Sequence, residues 1–163
     1  MISKNMETVF NQLIQLDYYS AQLYQAVSNY FKRMNLPGMA HWLRLQMKEE
    51  QGHALQLTDH LIERGGVVQL KEIAAMPSSF GTPLEAWTKI LEHEQYVTQN
   101  YQKAYNIAVA AQDIQSASLF QKFLDEQVDE EGQSMYIVEK LKMIGDDKAA
   151  LLVFDEELGR RAG

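Results

Sequence analysis

There is no cysteine among the 163 residues, which removes disulfides, zinc–thiolate sites and iron–sulfur clusters from consideration. Glycine and proline are scarce, nine and three, too few for a loop-rich or all-β chain. No stretch approaches the ~20 consecutive apolar residues of a membrane span. The opening Met1-Ile2-Ser3-Lys4-Asn5-Met6-Glu7 carries an acid and has no apolar run behind it, so no signal peptide is expected. Basic residues are outnumbered, 15 Lys and Arg against 22 Asp and Glu, giving a formal charge of −7. A nucleic-acid partner calls for a basic face and is not expected. An acidic chain attracts small cations, although acidity also serves solubility. What remains is a cytoplasmic protein of one domain, residues 1–163, long enough to bury a sizeable core.

What the chain does have is helical periodicity, in four long segments of about 4–34, 38–64, 83–112 and 114–144. Phe10, Leu13, Tyr24 and Phe31 share a stripe on the first; Leu43, Met47, Ala54, Leu57 and Leu61 do so on the second. Asn35-Leu36-Pro37-Gly38 breaks the first helix and Gly65-Gly66 stops the second. A crossover holding Pro77, Gly81 and Pro83 follows. Thr82 with Glu85 three residues on reads as a capping box, with Pro83 at the first helical position. Asp146 or Asp147 caps a short fifth helix over about 147–158, and the tail from Gly159 is expected to fray. Short loops inside each pair and a long connection between pairs predict an all-α four-helix bundle with one long crossover plus a short C-terminal fifth helix.

Polar residues interrupt every apolar stripe at its middle. Asp17 lies between Leu13 and Tyr24, Glu50 between Met47 and Ala54, and Glu94 between Leu91 and Val97, while Gln127 and Glu130 interrupt Phe123 and Ile137. The spacing repeats: Glu50 comes 33 residues after Asp17, with His53 three further on, and Gln127 comes 33 residues after Glu94, with Glu130 three further on. An i, i+3 pair shares one helix face, so two hairpins bring all six side chains to one level. Burying several carboxylates without compensation costs several kcal/mol per charge, against a total stability of ~5–15 kcal/mol. Either the acids stay protonated or they surround metal, and the repeated spacing favours metal. Carboxylates with one imidazole and no thiolate suit Fe(II) or Mn(II), with zinc as a competitor. So many oxygens imply a dinuclear site. His93 points roughly 100° away from Glu94 around its helix and is not expected to ligate.

At Gln15-Leu16-Asp17-Tyr18-Tyr19-Ser20-Ala21-Gln22-Leu23-Tyr24, Glu49-Glu50-Gln51-Gly52-His53, Leu91-Glu92-His93-Glu94-Gln95 and Glu126-Gln127-Val128-Asp129-Glu130 the chain resembles the bacterial non-haem ferritins. The resemblance implies a ferritin-like bundle in which Asp17, Glu50 and His53 bind a first ferroxidase iron. Glu50 then bridges to a second iron held by Glu94 with Glu130. It further implies a third iron site at Glu49, Glu126, Asp129 and Glu130, a hydrogen-bonding role for Gln127, and electron donation by Tyr24. Asp17 and Asp129 each stand where the family usually has Glu, one methylene longer. Gln127-x-x-Glu130 in place of a second Glu-x-x-His separates the chain from bacterioferritins and di-iron oxygenases. Gln51 and Gly52 offer no haem-ligating Met, so no haem is expected.

The function so implied is an iron-storage ferroxidase. It oxidises Fe(II) with dioxygen or hydrogen peroxide and deposits ferric mineral inside a homo-oligomeric 24-subunit shell. Two rivals follow from the same residues: a di-iron oxidase or peroxidase acting on a small molecule, and a non-catalytic shell subunit with a degenerate centre.

Overall fold

The computed structural model describes all of residues 1–163. Five helices carry the chain: α1 Lys4–Arg33, α2 Pro37–Glu63, α3 Pro83–Ala110, α4 Ile114–Ile144 and α5 Lys148–Leu158. Their ends follow from local chemistry. Ser3 caps α1, accepting from the Met6 amide, and Thr82 with Glu85 forms a complete capping box ahead of Pro83. Asp113 and Asp147 cap α4 and α5 in the same way. The hairpin turns each place one non-glycine residue at positive φ, Asn35 at 59° and Gln112 at 54°. These turns end α1 at Arg33 and α3 at Ala110, one and two residues earlier than the periodicity predicts.

The start of α2 has no side-chain cap of its own. Asp155 of α5 supplies one, accepting from the Gly38 amide at 2.9 Å and the Met39 amide at 2.8 Å. A carboxylate at a helix N-terminus both fills orphan donors and meets the positive end of the dipole. The approach is close enough to require glycine: a Cβ on Gly38 would sit 1.6 Å from the Asp155 carbonyl oxygen.

The crossover climbs alongside α1. Near its start Val67 and Gln69 bond to Glu7 and Asn11; further on, Glu72 meets Gln15, and at its end Gly81 accepts from Tyr30. The chain therefore returns to the end of the bundle where α1 finished, and α3 runs antiparallel to α1. At the opposite end Arg64 pairs with Asp113 at 2.8 Å and ties the first hairpin to the second.

The core falls into two apolar clusters. One gathers Val27, Phe31, Trp42, Trp87, Ile137 and Phe154 near the α5 end. The other gathers Phe10, Leu57, Leu61, Val97, Phe120 and Phe123 near the far end. Between them lies a layer of polar side chains. No helix is long and apolar enough to cross a membrane.

Candidate metal centre

Each long helix contributes to that layer from the middle of its buried stripe. Asp17 of α1 is 0% exposed, Glu50 of α2 1%, Glu94 of α3 1% and Glu130 of α4 9%. Four carboxyl groups are thus out of water at one level, as the repeated spacing required. Asp17, Glu50 and His53 gather most closely: one ligand-type atom from each lies within 4.8 Å of the other two. No other trio of metal-ligating residues comes together this tightly. Asp17 Oδ1 and Glu50 Oε1 are buried with no hydrogen-bond partner.

The surrounding groups divide into donors and charges. Tyr101 Oη donates to Asp17 Oδ2 at 2.6 Å. Tyr24 Oη donates to Glu94 Oε1, and Gln127 Nε2 donates to Glu94 Oε2 at 3.0 Å. Gln46 Nε2 donates to Glu130 Oε2 at 2.6 Å. His53 lies between acids, its Nδ1 3.7 Å from Glu50 and its Nε2 2.9 Å from Glu126.

The titration behaviour follows from this packing. Burial raises the Asp17 carboxyl well above the usual range and the Glu50 charge adds to it, against the hydrogen bond from Tyr101. Burial and Glu50 push Glu94 up to about 8, despite the bonds from Tyr24 and Gln127. Glu130 rises to about 7 through burial and the charges of Glu49 and Glu50. Burial alone would lower His53, but its contact with Glu50 and the charges of Glu50, Asp17 and Glu126 carry it to about 9. Burial thus favours the protonated forms of Asp17, Glu94 and Glu130; cations can compensate the acids once those protons leave.

The residues assigned to a third site have different surroundings. Glu49 accepts two hydrogen bonds from Arg161, at 3.0 and 2.9 Å. Glu126 faces His53 and lies 3.8 Å from Lys122. Asp129 is exposed. Of the four, Glu130 alone is buried in the central layer. His93 Nε2 lies 2.7 Å from Ser20 Oγ, and its ring meets those of Tyr19 and Tyr24. Within the tail expected to fray, Arg161 docks onto α2.

Three contributors escaped the sequence pattern. Tyr101 reads as a core aromatic, Gln46 as an ordinary helical amide and Arg161 as tail. Only the meeting of distant helices gives each its role.

A four-helix bundle with a long crossover, carrying a carboxylate–histidine layer between two apolar cores, defines the ferritin-like class of metal-handling proteins. The chain belongs to the ferritin family: the model of the ferritin-like domain matches residues 8–144. It is 37% identical over 161 residues to the bacterial non-heme ferritin of Bacteroides fragilis, covering 99% of this chain and 100% of that protein. The bacterial non-heme ferritin of Staphylococcus aureus is 32% identical, with 99% and 97% covered. An open pore ferritin from the hyperthermophilic archaeon Archaeoglobus fulgidus superposes with a TM-score of 0.97 at 38% identity, covering 99% of this chain and 100% of that one. A closed form of the same archaeal ferritin, engineered by mutagenesis, gives 0.96 at 38% identity, with 99% of each chain covered.

Proposed function

We propose that this protein is an iron-storage ferroxidase whose centre takes two Fe(II) ions as substrate. The observation that carries the reading is the buried layer itself: four acids from four helices, each at most 9% exposed, with two oxygens left without partners. Hard oxygen donors with one imidazole fit Fe(II).

Asp17, Glu50 and His53 hold the first ion, Glu50 bridges, and Glu94 with Glu130 holds the second. Each entering ion displaces protons from this layer, because carboxylates and imidazole bind metal only when deprotonated. Gln127 keeps Glu94 oriented through its amide. Two Fe(II) supply two electrons together, so dioxygen and two protons give hydrogen peroxide and two Fe(III), with no radical released. Hydrogen peroxide taken as oxidant instead accepts the same two electrons and two protons to give two waters. Where only one Fe(II) is present, Tyr24 can supply the second electron to the oxidant, becoming a neutral tyrosyl radical as its hydroxyl proton passes to the Glu94 carboxylate that it contacts.

Self-association into the 24-subunit shell of the family supplies a cavity for ferric mineral. A pore is named for the archaeal relative, which fits such an assembly. The absence of a membrane-length apolar helix is in keeping with a cytoplasmic store.

Aerobic Fe(II) oxidation by wild type and His53→Ala tests the reading, followed by native mass and retained iron. Wild type is expected to assemble, oxidise rapidly and retain iron well beyond two ions per chain. His53→Ala is expected to be slower by about 100-fold or more, since even supporting residues cost 10–100-fold at metal sites. Equal rates would mean an idle centre, and a monomer in solution would end the storage claim.

A further inference from the structure

Arg161 lies three residues beyond α5, yet its guanidinium meets an aromatic ring and three polar partners. It stacks on Trp42, 4.1 Å from the ring centroid. Nη1 donates to Gln46 Oε1 at 3.0 Å and to the Trp42 carbonyl at 3.3 Å, while Nη2 donates to both Glu49 oxygens. The Arg161 carbonyl accepts from His41 Nε2 at 2.9 Å, which pins the backbone as well. Gln46 is wholly buried. With its oxygen committed to Arg161, its amide nitrogen must face Glu130, and there it donates at 2.6 Å.

We propose that Arg161 is a tethered counter-cation that limits the centre to two metal ions. It occupies Glu49 and, through Gln46, fixes the orientation of Glu130. The inference rests on the two-metal reading given above. A third ion drawing on Glu49 and Glu130 would have to strip Glu49 from Arg161 Nη2, which donates charge-assisted hydrogen bonds to both carboxylate oxygens. It would also have to settle beside a fixed positive charge, in a partly buried place where like charges are poorly screened. Arg161 is therefore a positioning residue, acting on metal through Glu49 and Gln46.

Zinc(II), which cannot be oxidised, isolates binding from turnover. Equilibrium dialysis of the assembled protein is expected to give two tight ions per chain for wild type and two for Glu49→Gln. Arg161→Ala is expected to gain a third, bound at least about tenfold tighter than any third ion on wild type. Adding Glu49→Gln to that variant should return the count to two. Far-UV circular dichroism and native mass establish that Arg161→Ala is folded and assembled. If it is not, wild type against Glu49→Gln decides alone. Three ions on wild type falling to two in Glu49→Gln would overturn the proposal, as would an Arg161→Ala protein that binds like wild type. Loss of all tight binding in wild type would instead defeat the two-metal reading beneath it.

Discussion

The two halves of the centre differ in what their carboxylates already hold. On the α1–α2 side, Asp17 and Glu50 each keep one buried oxygen with no partner. On the α3–α4 side, Glu94 accepts from Tyr24 and Gln127, and Glu130 accepts from Gln46. A buried acceptor left unmet costs ~1–3 kcal/mol. A cation entering the first half relieves that cost, whereas one entering the second half must share or displace existing hydrogen bonds. The same rule of one acid per helix therefore yields unequal halves, and on the two-metal reading proposed above the expected order of filling is first between α1 and α2, then across to α3 and α4.

The largest effect is expected where the halves join. Glu50→Gln removes the bridge and should weaken both metal sites by about 100-fold or more. Glu50 also holds the His53 proton through its contact and charge, so the same change should lower the His53 pKa from about 9 toward its ordinary 6.5. An NMR titration of His53 beside Zn(II) dialysis reads both; an unmoved His53 would contradict the contact. Next in size is Glu94→Gln. Here the Zn(II) count should fall from two to one, with the first affinity changed by no more than about threefold. Loss of both ions would mean that the halves fill as a unit.

The pH response comes third. Asp17, Glu94, Glu130 and His53 all have pKa values raised by folding, so the folded chain binds more protons than the unfolded one. Their contribution is complete at low pH and is lost as pH climbs through about 7 for Glu130, 8 for Glu94 and 9 for His53. His93, pushed by burial down to about 4, acts in the opposite sense below its ordinary value of 6.5. Between pH 6.5 and 9 it is silent. The melting temperature of metal-free protein should therefore drop across that window by about 4 °C or more, and saturating Zn(II) should remove the drop. A flat metal-free profile would show that the layer is not held by protons.

Tyr101→Phe is the finest probe. It deprives Asp17 of its one donor on the half already short of donors, and should weaken the first ion by about tenfold without changing the count. An unchanged first affinity would mean that Tyr101 only fills space.

The bundle was legible because helical periodicity, caps and breakers agree locally. Thr82, Pro83 and Gly65 mark boundaries without help from distant residues, and the ends of α1 and α3 moved through turn geometry at Asn35 and Gln112. The acids of the layer were legible because Asp17, Glu50, Glu94 and Glu130 interrupt apolar stripes at matching heights. What stayed hidden depends on contacts between far-separated parts of the chain. Tyr101 faces Asp17 across 84 residues, and Arg161 reaches Gln46 across 115. No stripe distinguishes a tyrosine that donates to a carboxylate from one that packs. The capping of α2 by Asp155 is hidden for the same reason, since its partner amides lie at Gly38 and Met39. Of the third set that the resemblance implies, Glu49 meets Arg161 and Glu126 meets His53, contacts that no pattern along one helix reveals.

A crystal soaked anaerobically in ferrous salt, with diffraction collected on either side of the iron absorption edge, tests the central claim most directly. The account predicts two anomalous peaks inside the bundle, one among Asp17, Glu50 and His53 and one between Glu50, Glu94 and Glu130, with the first more fully occupied at low iron. Iron confined to outward-facing acids, with the inner layer still hydrogen-bonded and metal-free, would contradict it.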